Sequence, residues 1–513
     1  MVATSEPAAS QPEPLSALLA HGSQRATAFV TPEDGRTQDY AQVAEAVETL
    51  AGRLAAAGVR RGDRVGMTLP NGPEFVLLLF AAAQLGAAAA PLNPAYTQSE
   101  FTFYLEDIAP RLLLVSGTGP QAAVAAAGPL SIPVIELAIG ADGPPDLVID
   151  GAPVQAAASF DRGDADDIAL VLHTSGTTSR PKQVPLRQRN LTASARTIAA
   201  HYGLTSKDVS FCVMPLFHIH GLVASSFAAL STGGTVVVPR RFTAHRFWPQ
   251  ARDAAATWLS AGPTLHRMIL DRQDDGGAPP GLRFARSCSS PLSPELLERA
   301  EAAYGVPMLE AYGMTEASHQ MSSNPLPPAA RVPSSVGVPT GTEIAVVSPA
   351  GAFLSPGEAG EVVIRGPGVM NGYLANPAAT ADAFIDGWFR TGDRGVIRDG
   401  YLYLEGRLKE MILRGGENIS PAEIEQALLS HAAVADAVCF GVDDDKYGEV
   451  PAAAVKLNQD AEPSELIKHC RERLAAYKVP VTVYVLPEIP RTPTGKVQRR
   501  RVGESIVGSK AAG

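Results

Sequence analysis

Apolar and polar positions change texture twice along this chain. From the N-terminus to about residue 336, alanine-rich helical stretches alternate with short apolar, β-branched runs such as 168–172 (IALVL) and 234–238 (GTVVV). That alternation predicts a layered α/β domain. Between about 337 and 403 the runs shorten and Gly/Pro turns punctuate them, as where 361–365 (EVVIR) meets Gly366-Pro367, which predicts a β-rich subdomain. Beyond Arg407 the pattern becomes a compact α+β segment. It comprises a helix opened by Ser420 as N-cap with Pro421 at its first turn, a strand over 437–442, a helix from about Ser464, and a basic tail. The expected architecture is therefore α/β, with a large N-terminal domain (1–406, layered αβ subdomains plus the β-rich one) and a small, mobile C-terminal α+β domain (407–513).

One stretch tests the reading against a membrane. Residues 75–90 are strongly apolar, yet Gln84 and Gly86 interrupt them and Pro91 ends them. A buried helix is expected, because a span needs about 20 apolar residues. The first 24 residues, without Lys or Arg and rich in Ala, Pro, Ser and Glu, predict a disordered leader and no secretory signal.

Composition narrows the classes. A chain of 513 residues exceeds one comfortable core, so more than one domain is expected. A net charge of −10 argues against a nucleic-acid partner, so any anionic ligand must be met by local basic clusters. Cys212, Cys288, Cys439 and Cys470 are scattered without metal-ligand spacing, which points to a reducing cytoplasmic setting.

Candidate chemistry concentrates in HTSGTTSRPKQVPL, residues 173–186. Gly176 allows backbone N–H groups to approach an anion, Ser and Thr hydroxyls donate to phosphate oxygens, and Lys182 adds compact positive charge. The spacing is not that of a Walker A loop, since Pro181 precedes the lysine and Gln183 follows it. Downstream, in fixed order, come PLFHIHG (215–221), YGMTE (312–316), TGDRG (391–395), GRLKEMILRGGENISPAEIE (406–425) and PRTPTGKVQRR (490–500).

This ordered set resembles the acyl-adenylate-forming superfamily, which includes acyl-CoA synthetases. The resemblance implies ATP, Mg²⁺ and coenzyme A as cofactors, with a carboxylic acid activated as its acyl-AMP and handed to a thiol. It implies that Thr174, Ser175, Gly176, Thr177, Thr178 and Lys182 hold the β- and γ-phosphates, that Tyr312 and Gly313 lie on the adenine side, and that Thr315 lies near the α-phosphate. Glu316 would be the Mg²⁺ ligand, and Asp393 with Arg407 would hold the ribose. His218 would gate the acyl pocket, Lys496 would stand between carboxylate and α-phosphate, and Lys409 would mark the hinge. Gly415-Gly416 would close against the pantetheine arm, with Arg414, Lys478, Arg499 and Arg500 as candidate CoA-phosphate partners. Gln183 departs from the motif, in which glycine usually follows the loop lysine.

Segments 284–295 (FARSCSSPLSPE) and 316–327 (EASHQMSSNPLP) resemble the oxalyl-CoA synthetase branch. A second carboxylate on the substrate would want cationic or donor partners, and His220, Arg286, Ser289 and His319 are the candidates. A short- or medium-chain fatty acyl-CoA synthetase and a stand-alone adenylation enzyme loading a carrier protein are the alternatives. No carrier segment follows the Lys496 motif, which favours free CoA. Either a monomer or a homodimer suits the composition.

Overall fold

A computed structural model describes residues 12–117, 119–140, 143–174, 181–415, 417–491, 497 and 499–510. Two sheets organise the larger part of the chain. An eight-stranded sheet runs in the order Lys182–Arg187, Ile168–Thr174, Ala88–Pro91, Arg64–Thr68, Leu112–Ser116, Val134–Ala138, Asp146–Ile149, Ala152–Pro153. A nine-stranded sheet carries Phe284–Ser287 between Trp258–Ala261 and Met308–Met314, with His319–Ser323 folding back antiparallel on the last. Most inner pairings are parallel, the arrangement that buries both faces and selects continuous apolar strands.

The apolar stretch at 75–90 resolves into two elements. Helix Pro73–Gln84 has every residue from Pro73 to Ala83 buried, and after a turn at Gly86 the chain enters the parallel strand Ala88–Pro91. No helix among the described residues is long and apolar enough to cross a membrane. The leader expectation needs correction over 12–24. Leu15–Leu19 forms a 3₁₀ turn with Leu15 and Leu18 fully buried, and the Leu15 N–H donates to Gln188 Oε1 at 2.9 Å. Two well-placed leucines outweigh a composition that reads as disordered, because each removes a large apolar side chain from water. Residues 1–11 lie outside the described set.

A five-stranded sheet between Glu343 and Arg407 pairs Trp388–Arg398 with both Ala359–Arg365 and Tyr401–Arg407. The last sheet pairs Val434–Asp444 with Gly448–Leu457 and is flanked by helices Pro421–Leu429 and Pro463–Arg471. Ser420 does occupy the N-cap position, but its Oγ donates to the Glu405 carbonyl instead of capping the helix. That bond ties the start of this sheet's first helix to the strand that ends at Arg407.

Candidate active site

A cleft of about 1170 Å³ gathers residues from nearly every motif. Its walls include Thr174 and Lys182 from the ends of one hairpin, His218, the 313–316 turn, Thr391 and Gly392, Arg407 and Lys409, and Arg491 and Arg501 from the C-terminal segment. Thr174 and Lys182 are registered partners on antiparallel strands, so the phosphate-loop candidate is closed at its base. Ser175, Gly176, Thr177 and Thr178 lie outside the described residues, as do Gly416 and Lys496. The chain on either side of Lys496 is anchored by a bridge between Arg491 and Val497.

Lys182 and Glu316 meet through an aromatic residue that motif reading missed. The Lys182 ammonium sits 4.5 Å from the Tyr373 ring centroid, and the Tyr373 hydroxyl donates to Glu316 Oε1 at 3.1 Å. Burial first, and then the neighbouring Glu316 charge, push the Tyr373 hydroxyl well above the ordinary phenol range, so it stays a donor. Glu316 itself is buried in a 3₁₀ turn, Thr315–Ala317, at the end of strand Met308–Met314. Gly313 is required there. A Cβ at this position would come within 2.3 Å of the His319 carbonyl oxygen, blocking the tight return of the chain.

Asp393 and Arg407 face each other in register on adjacent antiparallel strands. Arg407 Nε lies 2.7 Å from Asp393 Oδ1, the Tyr312 hydroxyl donates to Oδ2, and the Asp393 N–H donates to Thr391 Oγ1. Asp393 raises the Arg407 pKa, and burial followed by Asp393 raises that of Tyr312. Asp393 is thus held on a strand by Tyr312 and Arg407 as well as by its neighbour Thr391.

The four acid-side candidates converge on one buried cluster. Arg286 is fully buried on strand Phe284–Ser287, and among the described residues no carboxylate pairs with it. Its Nε donates to Tyr202 Oη (2.9 Å) and Gln320 Oε1 (3.1 Å), and its Nη1 reaches Ser260 Oγ (2.7 Å) and His220 Nε2 (3.2 Å). Nη2 makes a long 3.4 Å approach to His319 Nδ1, and the Cys288 thiol also lies against the guanidinium. His220 Nδ1 lies 3.1 Å from Ser289 Oγ, and the His220 and His319 rings are 4.7 Å apart. Burial, then neighbouring positive groups, lower both imidazole pKa values well below the ordinary range, so both rings are neutral at pH 7. His218 lines the cleft, whereas Arg286, His220, Ser289 and His319 are not among its lining residues.

Two features mark this cluster as constrained. Ser289 (φ +77°) and His319 (φ +107°) hold left-handed backbone that costs of order 1–3 kcal/mol for a side chain to adopt. His220 opens a fully buried π-helical stretch, His220–Phe227, a geometry associated with functional sites.

Residues 19–374 match the AMP-binding enzyme family, and residues 423–496 match the AMP-binding enzyme C-terminal domain. The chain belongs to the AMP-binding enzyme family. It is 46% identical over 480 residues to an oxalate–CoA ligase of Arabidopsis thaliana, covering 91% of this chain and 93% of the relative. It is 40% identical to an oxalate–CoA ligase of Saccharomyces cerevisiae over 88% of each. Among solved structures, ATP-bound MatB from Rhodopseudomonas palustris superposes with a TM-score of 0.85 at 29% identity, covering 96% of this chain and 99% of that one. MenE from Bacillus subtilis in complex with ATP and magnesium ion gives 0.83 at 30%, with 96% and 99% covered. The protein is an AMP-forming acyl-CoA synthetase that uses ATP, Mg²⁺ and CoA to join an acid to a thiol.

In the synthetase the basic residues read as CoA-phosphate partners are largely engaged elsewhere. Lys478 bonds both oxygens of Glu423 at 2.7–2.8 Å. Arg499 bridges Glu410 (2.6 Å) and Glu425 (2.8–3.0 Å). Arg414 lies over the Tyr447 ring and donates to the Tyr477 carbonyl. The Arg500 side chain is outside the described set. Gly415, at φ +58°, donates its N–H to Tyr447 O at 2.7 Å.

Proposed function

We propose that the synthetase activates oxalate, and that Arg286 recognises the carboxylate that does not react. The observation that carries this reading is a fully buried guanidinium that, among the described residues, has neutral partners only. A buried cation without a counter-charge is costly, and a substrate carboxylate is the chemical complement that offsets the cost. His220, Ser289 and His319 lie beside the guanidinium and would give the acid site a polar end. The names of the Arabidopsis and yeast relatives agree with this substrate.

The reacting carboxylate of the acid attacks the α-phosphorus of ATP and pyrophosphate leaves; the CoA sulfur then attacks the acyl carbon and AMP leaves. Two anions meet in the first step, so positive charge has to be present as the transition state forms. Thr174 and Lys182, with Ser175, Gly176, Thr177 and Thr178, hold the β- and γ-phosphates, and Thr315 donates near the α-phosphate. Lys496 stands between the two reactants. A buried carboxylate on the cleft wall suits Mg²⁺, a hard cation, so Glu316 is the residue that would hold it. When bound, Mg²⁺ supplies neutralisation of phosphate charge. Asp393, an acceptor-only carboxylate, accepts the ribose hydroxyls while Arg407 braces it. Tyr312 and Gly313 face adenine, and His218 gates the passage between acyl pocket and thiol. Rotation of the segment after residue 406, hinged near Lys409, would bring Gly415-Gly416 against the pantetheine arm for the second step.

A pyrophosphate-release panel tests the substrate. Oxalate, malonate, sulfoacetate, butyrate, octanoate, aromatic acids and amino acids are offered with and without CoA. The strongest CoA-dependent turnover is expected with oxalate, whereas preference for octanoate over every dicarboxylate would overturn the assignment.

A further inference from the structure

Gln183, the residue that departs from the family motif, is not an idle substitution. It pairs in register with His173, one step from the Thr174–Lys182 pair that closes the hairpin, and both side chains reach the same carboxylate. Gln183 Nε2 donates at 2.8 Å to Asp107 Oδ2 and at 2.8 Å to the Asp107 carbonyl oxygen, and His173 Nε2 lies 2.8 Å from Asp107 Oδ2. Asp107 occupies the last turn of helix Gln98–Ile108, where a carboxylate is opposed by the helix dipole and the carbonyls lack intrahelical partners. Donors from the hairpin satisfy both groups. Tyr104, one turn earlier, sets its ring 4.7 Å from that of His173. From the other side, the Leu374 N–H donates to the Gln183 carbonyl and the neighbouring Tyr373 ring lies beneath Lys182.

We infer that Asp107, Gln183 and His173 form a latch that fixes the hairpin end so that Lys182 and Thr174 are presented to ATP in a set position. Asp107 and Gln183 are positioning residues, acting through the strand ends and touching no reacting atom. The inference rests on the reading that this hairpin holds the β- and γ-phosphates. A glycine at 183 would have no side chain with which to reach Asp107. It follows that breaking the latch weakens ATP capture, while the thiol step, which involves no β- or γ-phosphate, is indifferent to it.

The test compares Asp107→Ala, Gln183→Ala, the double variant, Asp107→Asn and Lys182→Met. Each is assayed for KM(ATP), kcat and thioester formation from chemically made acyl-AMP, with melting temperature followed in parallel. Each alanine variant should raise KM(ATP) about fivefold, with thioester formation within about twofold of the parent. The double variant should be no worse than the poorer single, and Asp107→Asn, whose amide oxygen still accepts from Gln183, should recover most of the loss. Unchanged KM(ATP) in both alanine variants beside an impaired Lys182→Met overturns the latch alone. An unimpaired Lys182→Met overturns the latch together with the phosphate reading beneath it. Equal loss in both half-reactions also overturns it, since that pattern marks general damage.

Discussion

Arg286→Gln is expected to lower oxalate turnover about a hundredfold or more while leaving activity on butyrate within a few-fold of the parent. Removing one partner of a buried charge-assisted contact costs about 3–5 kcal/mol, and each 1.4 kcal/mol is tenfold. The guanidinium also braces Tyr202, Gln320 and Ser260, so some loss of stability accompanies the change. The ratio of kcat/KM for oxalate to that for butyrate removes this ambiguity, because both are measured on the same folded fraction. Arg286→Lys keeps the charge but loses the planar fork, so it should fall between the two. A ratio that stays at the parent value in Arg286→Gln would show that this cluster supports the fold and does not read the acid.

Lys496→Ala is expected to reduce adenylate formation by about a thousandfold, the upper range for removing one pre-placed charge from a phosphoryl-transfer transition state. Thioester formation from supplied acyl-AMP should stay within a few-fold. The expected difference follows from the proposed role, in which the lysine is needed only while two anions are being forced together, and the second step has a neutral acyl carbon as its target. Arg491 and Arg501 line the same cleft as Thr174 and Lys182, so the C-terminal segment faces the nucleotide side in this arrangement. Separate single-turnover measurements of the two steps check the split. Parallel loss in both, in a folded variant, would contradict a lysine that serves one step only.

The nucleotide cleft is largely legible in the primary structure because its chemistry is local. Thr315-Glu316 and Arg407 stand in short motifs whose glycines and turns set the backbone and line one cleft, and Asp393 is bonded to Arg407 and Tyr312 behind it. Less legible are side chains whose meaning comes from a distant partner. Tyr373 is bonded to Glu316, 57 residues away; Ser260 belongs to the Arg286 cluster because its strand neighbours that of Arg286, and Tyr202 because it ends the helix Gln188–His201 against it. No motif spacing signals either. In the basic tail charge does not reveal the partners, since Arg499 pairs with Glu410 and Glu425, which stand far from it in the chain. The helix at 73–84 was legible from its interruptions, whereas the ordered turn at Leu15–Leu19 was hidden by a leader-like composition with just enough leucine to anchor it.

The most direct test follows oxygen. Oxalate carrying ¹⁸O in its carboxyl groups is incubated with the enzyme, Mg²⁺, ATP and CoA, and the phosphorus products are analysed by mass spectrometry. Attack by a carboxylate oxygen on the α-phosphorus, followed by cleavage of the acyl carbon–oxygen bond by the thiol, leaves one labelled oxygen in AMP and none in pyrophosphate. Label in inorganic phosphate with ADP as the nucleotide product, or AMP formed without label, would contradict the account.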